Sequence, residues 1–98
     1  MARLGETCGA VTGAMLILGL KYGATTTTDK ESKEKNYAQC RELVNQFIAR
    51  NKTIKCKDLL GCDLSTPAGM KLAHETNITN TICPKLVQDA AEILEQLI

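Results

Sequence analysis

The stretch GETCGAVTGAMLILGLKY, residues 5–22, decides the fold of this 98-residue chain. Residues 14–20 within it are apolar on every side of a helix, a pattern typical of a helix at the centre of a bundle. We therefore expect a buried central helix over about 8–22, ended by Gly23. The apolar run is too short to cross a bilayer, which takes about 20 residues, and it makes a poor signal peptide because Arg3 is offset by Glu6.

Two glycines, Gly9 and Gly13, lie one turn apart on one face of this helix, with Ala10 and Ala14 beside them. Glycine weakens a helix by roughly 1 kcal/mol relative to alanine, so its repeated use calls for a reason. Small residues let another helix backbone pack closely, and they also leave room for a cofactor beside Cys8. The sequence is compatible with both readings.

The rest of the chain also reads as helical. Tyr37, Cys40, Leu43, Val44, Phe47 and Ile48 fall at helical spacing within a second helix over about 30–51. The three further helices are a short one over 53–63, capped by Thr53 and stopped at Gly61; one over 65–77, with Ser65 or Thr66 as N-cap and Pro67 in the first turn; and one over 81–98, with Thr81 as N-cap. The sequence thus predicts an all-α fold, a small compact bundle of about five helices forming one domain over residues 1–98.

Composition narrows the function classes. Aromatic residues make up only 3% of the chain, which favours helices over strands. The net charge is +1, and the chain has no aromatic platform for stacking bases, so nothing indicates nucleic-acid binding. We expect a cytoplasmic protein that does not span a membrane.

Five cysteines, Cys8, Cys40, Cys56, Cys62 and Cys83, are the unusual feature of the composition. An odd number cannot form a closed set of disulfides within one chain. No C-x-x-C pair occurs, so neither a zinc ribbon nor a thioredoxin-type motif is present.

Three of these cysteines, Cys8, Cys56 and Cys83, lie in the first turn of a predicted helix. A helix N-terminus presents free N–H groups and about half a positive charge, which favours thiolate over thiol. Lys55 and Lys57 act in the same direction on Cys56, so we expect Cys56 to be alkylated fastest. We expect the three to meet in space as redox or metal-binding thiolates, with Gly9 and Gly13 beside a bound cofactor. The alternative is that helix starts simply tolerate small residues such as cysteine.

The remaining candidates are weaker. Cys40 lies on the apolar face of the second helix, where a free cysteine often serves as a small hydrophobic residue, so we expect it to react slowest. Cys62 follows a helix end; it is either a resolving thiol for Cys56, and the fourth member of the catalytic set, or a spectator. His74 lies in no metal-binding motif, and we expect it to have a surface or packing role.

These segments resemble a known family. CGAVTG (8–13) resembles the CGAxxG signature of the C_GCAxxG_C_C family of redox-active proteins, and CKDLLGCDL (56–64) and CPKLVQDAAEIL (83–94) resemble its two downstream cysteine segments. The resemblance covers about residues 5–97. It implies that Cys8, Cys56 and Cys83 are three of four signature cysteines.

The chain departs from that pattern before Cys8. The family pattern begins with a further cysteine on an additional N-terminal helix, whereas none of the seven residues before Cys8 is a cysteine. A four-cysteine site would be incomplete unless a partner supplies the fourth ligand or Cys62 substitutes. A missing helix would also leave an apolar face open, which suggests a homo-oligomer.

Two functions follow from these observations. The first is a redox accessory protein, an oxidoreductase or electron carrier. Its Cys8, Cys56 and Cys83 would cycle with a disulfide, or would bind an iron–sulfur cluster or another thiolate-bound metal, and it would work with a partner oxidoreductase. The second is a helical interaction module with structural cysteines. Convergence of the cysteines in space separates the two, because core cysteines should scatter.

Overall fold

A computed structural model describes residues 2–98 of the chain. Five helices follow one another: α1 (Gly9–Tyr22), α2 (Lys30–Asn51), α3 (Cys56–Leu60), α4 (Pro67–Thr76) and α5 (Ile78–Leu97). Within 2–98 the β-structure is limited to a single antiparallel bridge between Thr7 and Lys55. The predicted all-α fold is confirmed.

The three long helices α1, α2 and α5 form the body of the bundle. The start of α1 lies near Cys83 in the first half of α5, and the Tyr22 hydroxyl at its end donates a hydrogen bond to the Leu97 carbonyl (2.8 Å). These two helices therefore run parallel. The end of α2 contacts the middle of α5 through Arg50 and Asp89, and its beginning approaches Tyr22 through Lys35, so α2 runs antiparallel to both.

The core lies between these three helices. Its largest fully buried side chains are Phe47, Leu18, Leu43, Ile93 and Val11, and removing this apolar surface from water stabilises the bundle. The cluster consists of Val11, Ala14 and Leu18 from α1, Leu43 and Phe47 from α2, and Leu86, Ala90, Ile93 and Leu94 from α5.

One expectation about α1 is wrong. The helix is not enclosed on every side, because Leu16, Ile17 and Leu20 are 68%, 44% and 82% exposed. Only one face, carrying Val11 and Leu18, is buried. Because apolar residues occur all around α1, the sequence does not distinguish an inner face from an outer one. The sequence alone therefore suggested that the whole helix is buried.

The capping residues were predicted in part. Thr66 caps α4 as expected, accepting a hydrogen bond from the Gly69 N–H (3.0 Å) ahead of Pro67. The predicted caps Thr53 and Thr81 are wrong: α3 begins after Lys55, and α5 begins four residues earlier than predicted, after Asn77. Asn77 has a left-handed backbone (φ 54°) that ends α4 and starts α5 in one residue, so Cys83 lies inside α5.

No helix within residues 2–98 combines the length and the apolar character that crossing a membrane requires.

Candidate thiol site

A backbone strap joins the segments that carry Cys8 and Cys56. The Cys8 N–H donates to the Ile54 carbonyl (2.7 Å), and the Cys56 N–H donates to the Glu6 carbonyl (2.6 Å), on either side of the Thr7–Lys55 bridge. A third bond, from the Lys57 N–H to the Gly5 carbonyl (3.2 Å), continues the strap. The helix starts of α1 and α3 are therefore held side by side.

The register of this bridge determines how the two cysteines face each other. Cys8 lies opposite Ile54 and two residues short of Cys56, so the two cysteines are diagonal neighbours on the same side of the bridge. Diagonal neighbours in an antiparallel pair have Cα atoms roughly 7–8 Å apart, just beyond the range of about 4.4–6.8 Å found in disulfides. The register therefore places both cysteines on one side of the strap without forming a disulfide, and both thiols are free.

Cys83 reaches the same place from α5. Its helix turn presents Cys83, Leu86 and Val87 on one face, at the i, i+3 and i+4 spacing of a helix. All three residues line a cavity of about 220 Å³ that Cys8 and Cys56 also line. The structure thus brings together Cys8, Cys56 and Cys83, which are separated by 48 and 27 positions in the sequence.

The walls of this thiol cavity are otherwise mainly apolar. Besides the three cysteines they consist of Thr7, Gly9, Ala10, Leu59, Leu60, Leu86 and Val87. A low-polarity wall disfavours charge on sulfur. Burial raises the pKa of Cys56 above its ordinary value of 9.0, and the negative charge of a Cys8 thiolate would raise it further. The pKa of Cys83 is raised by the same two causes in the same order.

These shifts contradict, for Cys56 and Cys83, the expectation that helix starts and lysines lower the thiol pKa. Cys83 lies in the interior of α5, and α3 has only five residues, so neither cysteine lies at the end of a long helix dipole. The Lys57 ammonium is 3.8 Å from the carboxylates of both Glu6 and Asp63. Fastest alkylation at Cys56 is therefore no longer expected.

Cys8 differs from its two neighbours in its setting. It is the N-cap of the 14-residue helix α1, whose first N–H groups and partial positive charge favour an anion. It also contributes to the raised pKa of both other thiols. Cys8 is therefore the central member of the set.

The other sequence candidates lie elsewhere. Cys62 follows Gly61, whose left-handed backbone ends α3 (φ 72°). It is absent from the walls of the thiol cavity, and of the three thiols whose charge raises the pKa of Cys56 it has the smallest effect. Cys40 lies on α2 beside Met15 and Tyr37 in a different cavity, and burial raises its pKa. His74 is exposed and lines a third cavity with Arg3 and Met70.

Gly9 and Gly13 do not mediate close packing between the helices of this chain. Both are exposed, and a Cβ added at either position would meet no atom within 4 Å. They form the floor of an open groove of about 390 Å³ between α1 and α5. Gly9 also belongs to the wall of the thiol cavity, so the groove and the cavity adjoin.

The donors do not fit a preformed metal centre. No group of three or more His, Cys, Asp or Glu side chains in residues 2–98 is arranged to hold a metal ion. The role of Cys8, Cys56 and Cys83 as ligands of a metal or an iron–sulfur cluster stays a prediction, and no step is derived through such a group.

The sequence analysis missed two features of the site. A single β-bridge is too short to produce an alternating pattern, so the strap over Gly5–Cys8 went unrecognised. The apolar residues Leu59 and Leu86, each three positions after a site cysteine, share its helix face and could have been identified as cavity walls from that spacing.

Comparison with known proteins identifies the family of the chain. The family model described as "Putative redox-active protein (C_GCAxxG_C_C)" matches residues 1–97. Searches of curated proteins and of solved structures gave no match. Since the match covers nearly the whole chain, the protein belongs to the C_GCAxxG_C_C family.

Proposed function

We propose that the protein is a thiol–disulfide redox protein in which Cys8 is the attacking thiol and Cys56 or Cys83 resolves the intermediate. The observation that carries the proposal is that three thiols from α1, α3 and α5 line one cavity. Thiol–disulfide exchange needs only two sulfurs that can approach each other, and the position of the three cysteines on the walls of one cavity supports this requirement.

The exchange with an oxidised partner proceeds in two balanced steps. The Cys8 thiolate attacks one sulfur of the partner's disulfide, forming a mixed disulfide and releasing the other partner sulfur as a thiolate that takes up a proton. The thiolate of Cys56 or Cys83 then attacks the Cys8 sulfur and releases the second partner thiol. Two electrons pass to the partner, and this chain is left with one disulfide.

The cavity supports the second step in particular. A mixed disulfide at Cys8 removes the negative charge that raises the pKa of Cys56 and Cys83. The resolving thiol therefore ionises more readily once the first step is complete. We place this chemistry in the cytoplasm, where thiols are kept reduced and disulfides are transient and catalytic.

Equilibration with glutathione buffers of graded potential tests the proposal. The wild-type protein should form one intramolecular disulfide with a defined midpoint, and Cys8→Ser should lose that midpoint. Cys56→Ser and Cys83→Ser should each keep a disulfide that involves Cys8, at a shifted potential. Cys40→Ser is the matched control and should behave as wild type. A disulfide midpoint that survives in Cys8→Ser, or that disappears in Cys40→Ser, would contradict the proposal.

A further inference from the structure

The outer face of α1 is an uncovered apolar surface. Gly9, Gly13, Leu16, Ile17 and Leu20 share this face, since they follow one another at helical i, i+3 and i+4 spacings. Leu16 and Leu20 are among the most exposed large apolar side chains of the protein. Large contiguous apolar patches on a protein surface mark interaction sites or ligand-binding grooves.

The packing of α1 explains why the face is open. The bundle measures 48 × 25 × 17 Å. Among the helices, α1 packs mainly against α2 and α5, and both lie on the side of α1 that carries Val11 and Leu18.

The exposed area indicates how much surface a partner would cover. A folded monomer of 10.6 kDa should expose about 5,500 Å², whereas this chain exposes 6429 Å². The excess of roughly 900–1,000 Å² over that expectation matches the ~800 Å² that each partner contributes to a standard stable interface.

The outer face of α1 carries both hollows and projecting side chains. Gly9 and Gly13 form the floor of the groove of about 390 Å³, and Ile17 and Leu20 project one and two turns further along α1. If a second α1 crosses antiparallel at Gly13, Ile17 of each copy lies across from Gly9 of the other, because both are four residues from the crossing point. The projecting residues of this face can therefore pack into the hollows of the same face on a second copy. A self-complementary surface of this kind is what the two-fold symmetry of a homodimer requires.

The charges at the ends of α1 suit the same arrangement. No charged residue lies between Glu6 and Lys21, so the antiparallel helices would meet without like-charge repulsion. The exposed Glu6 at one end then approaches Lys21 of the second copy at the other.

We infer that a second copy of this chain covers the outer face of α1, forming a two-fold dimer through antiparallel α1 helices. This dimer is independent of the thiol chemistry, although its groove adjoins the thiol cavity at Gly9.

Sedimentation equilibrium of the reduced protein over a range of concentrations tests the inference. The wild type should approach twice 10.6 kDa. Leu20→Glu and Leu16→Glu, both at exposed positions that keep the monomer core intact, should each raise the dissociation constant by roughly tenfold or more. Leu72→Glu, at an exposed leucine on α4 (46%), is the matched control and should dimerise as wild type. Circular dichroism confirms that each variant is folded.

Several outcomes would overturn the inference. A monomeric wild type would mean that the face serves a different partner or none. A mass above that of a dimer would exclude the two-fold pairing. A dimer that both α1 variants retain, or that Leu72→Glu also loses, would exclude α1 as the interface.

Discussion

Cys8 belongs to two structural features at once: it caps α1 and it lies on the strap beside α3. The sequence singled out Cys8, Cys56 and Cys83 as a set, from their predicted helix starts and from the family resemblance. The three line one cavity, and their role as a functional site stays a prediction. The sequence predicted lowered pKa values for Cys56 and Cys83, whereas both are raised. The argument from helix starts did not include the burial of these thiols in the folded chain.

The coupling between thiols gives a residue-scale prediction. The pKa of Cys56 should lie above its ordinary value in the wild type and should fall in Cys8→Ser, because the Cys8 charge no longer opposes a second thiolate. The pH dependence of Cys56 alkylation, followed by peptide mass spectrometry, measures this. Cys40→Ser is the control and should leave the Cys56 pKa unchanged. An identical Cys56 pKa in wild type and Cys8→Ser would show that the two thiols do not interact.

At the scale of elements, the strap that aligns Cys8 with Cys56 depends on Gly5. Gly5 has a left-handed backbone (φ 74°), and a Cβ there would lie 2.7 Å from the Lys57 side chain. Gly61 has nearly the same backbone (φ 72°) but open space around it. A comparison of substitutions at the two glycines therefore separates the effect of backbone strain from the effect of contact with the strap.

This comparison predicts different effects of two alanine substitutions. Gly5→Ala and Gly61→Ala should each lose about 1–2 kcal/mol of folding free energy through left-handed strain. Only Gly5→Ala should also reduce the yield of the Cys8–Cys56 disulfide under mild oxidation, because the added methyl group displaces the strap. Thermal denaturation and disulfide mapping report the two effects separately. Equal disulfide yields in the two variants would contradict the role given to the strap.

The helices themselves were predictable to different degrees. Pro67 after a threonine and Gly61 at a chain reversal are local signals, and the ends they predicted are confirmed. The start of α5 was missed because Asn77 has no sequence feature that distinguishes it from a loop asparagine, whereas Thr81 is a favoured N-cap residue. The sequence suggested an open apolar face through the missing N-terminal helix, but it did not place that face on α1, since whether an apolar helix is enclosed depends on how many other helices the chain places around it.

At the scale of the whole molecule, charged groups join α2 to α5 at the end of α2. The Asp89 carboxylate accepts hydrogen bonds from Lys85 (2.8 Å), Asn51 (3.2 Å) and Arg50 (3.3 Å). The side chain of Asp89 is 13% exposed, so these bonds replace most of its water. Together they lower its pKa, with Lys85 the largest cause.

The dependence of stability on pH follows from the directions of these shifts. Because the folded-state pKa of Asp89 is depressed, its stabilising effect is present above 3.8 and is lost as the pH falls through the folded value. Because the pKa of Cys56 and Cys83 is raised, their contribution is present below 9.0 and is lost as the pH rises above it. Stability should therefore fall at both ends of the pH range.

Denaturant unfolding of the reduced protein at graded pH measures this profile. Asp89→Asn should lower stability at neutral pH by roughly 1.5–3 kcal/mol and weaken the acid dependence. It should not abolish that dependence, because hydrogen bonds also lower the pKa of Asp29, Asp63 and Glu92. Cys56→Ser should weaken the alkaline dependence only. An acid limb unchanged by Asp89→Asn would show that the link between α2 and α5 does not depend on its charge.

The central claim, that Cys8, Cys56 and Cys83 act as one thiol site, is tested most directly by mapping the disulfide formed on mild oxidation of the dilute wild-type protein. Peptide mass spectrometry identifies which cysteines are joined and which remain free. The account predicts an intramolecular disulfide between Cys8 and either Cys56 or Cys83, with Cys40 recovered as a free thiol. A first disulfide that includes Cys40, or one that omits Cys8, would contradict it.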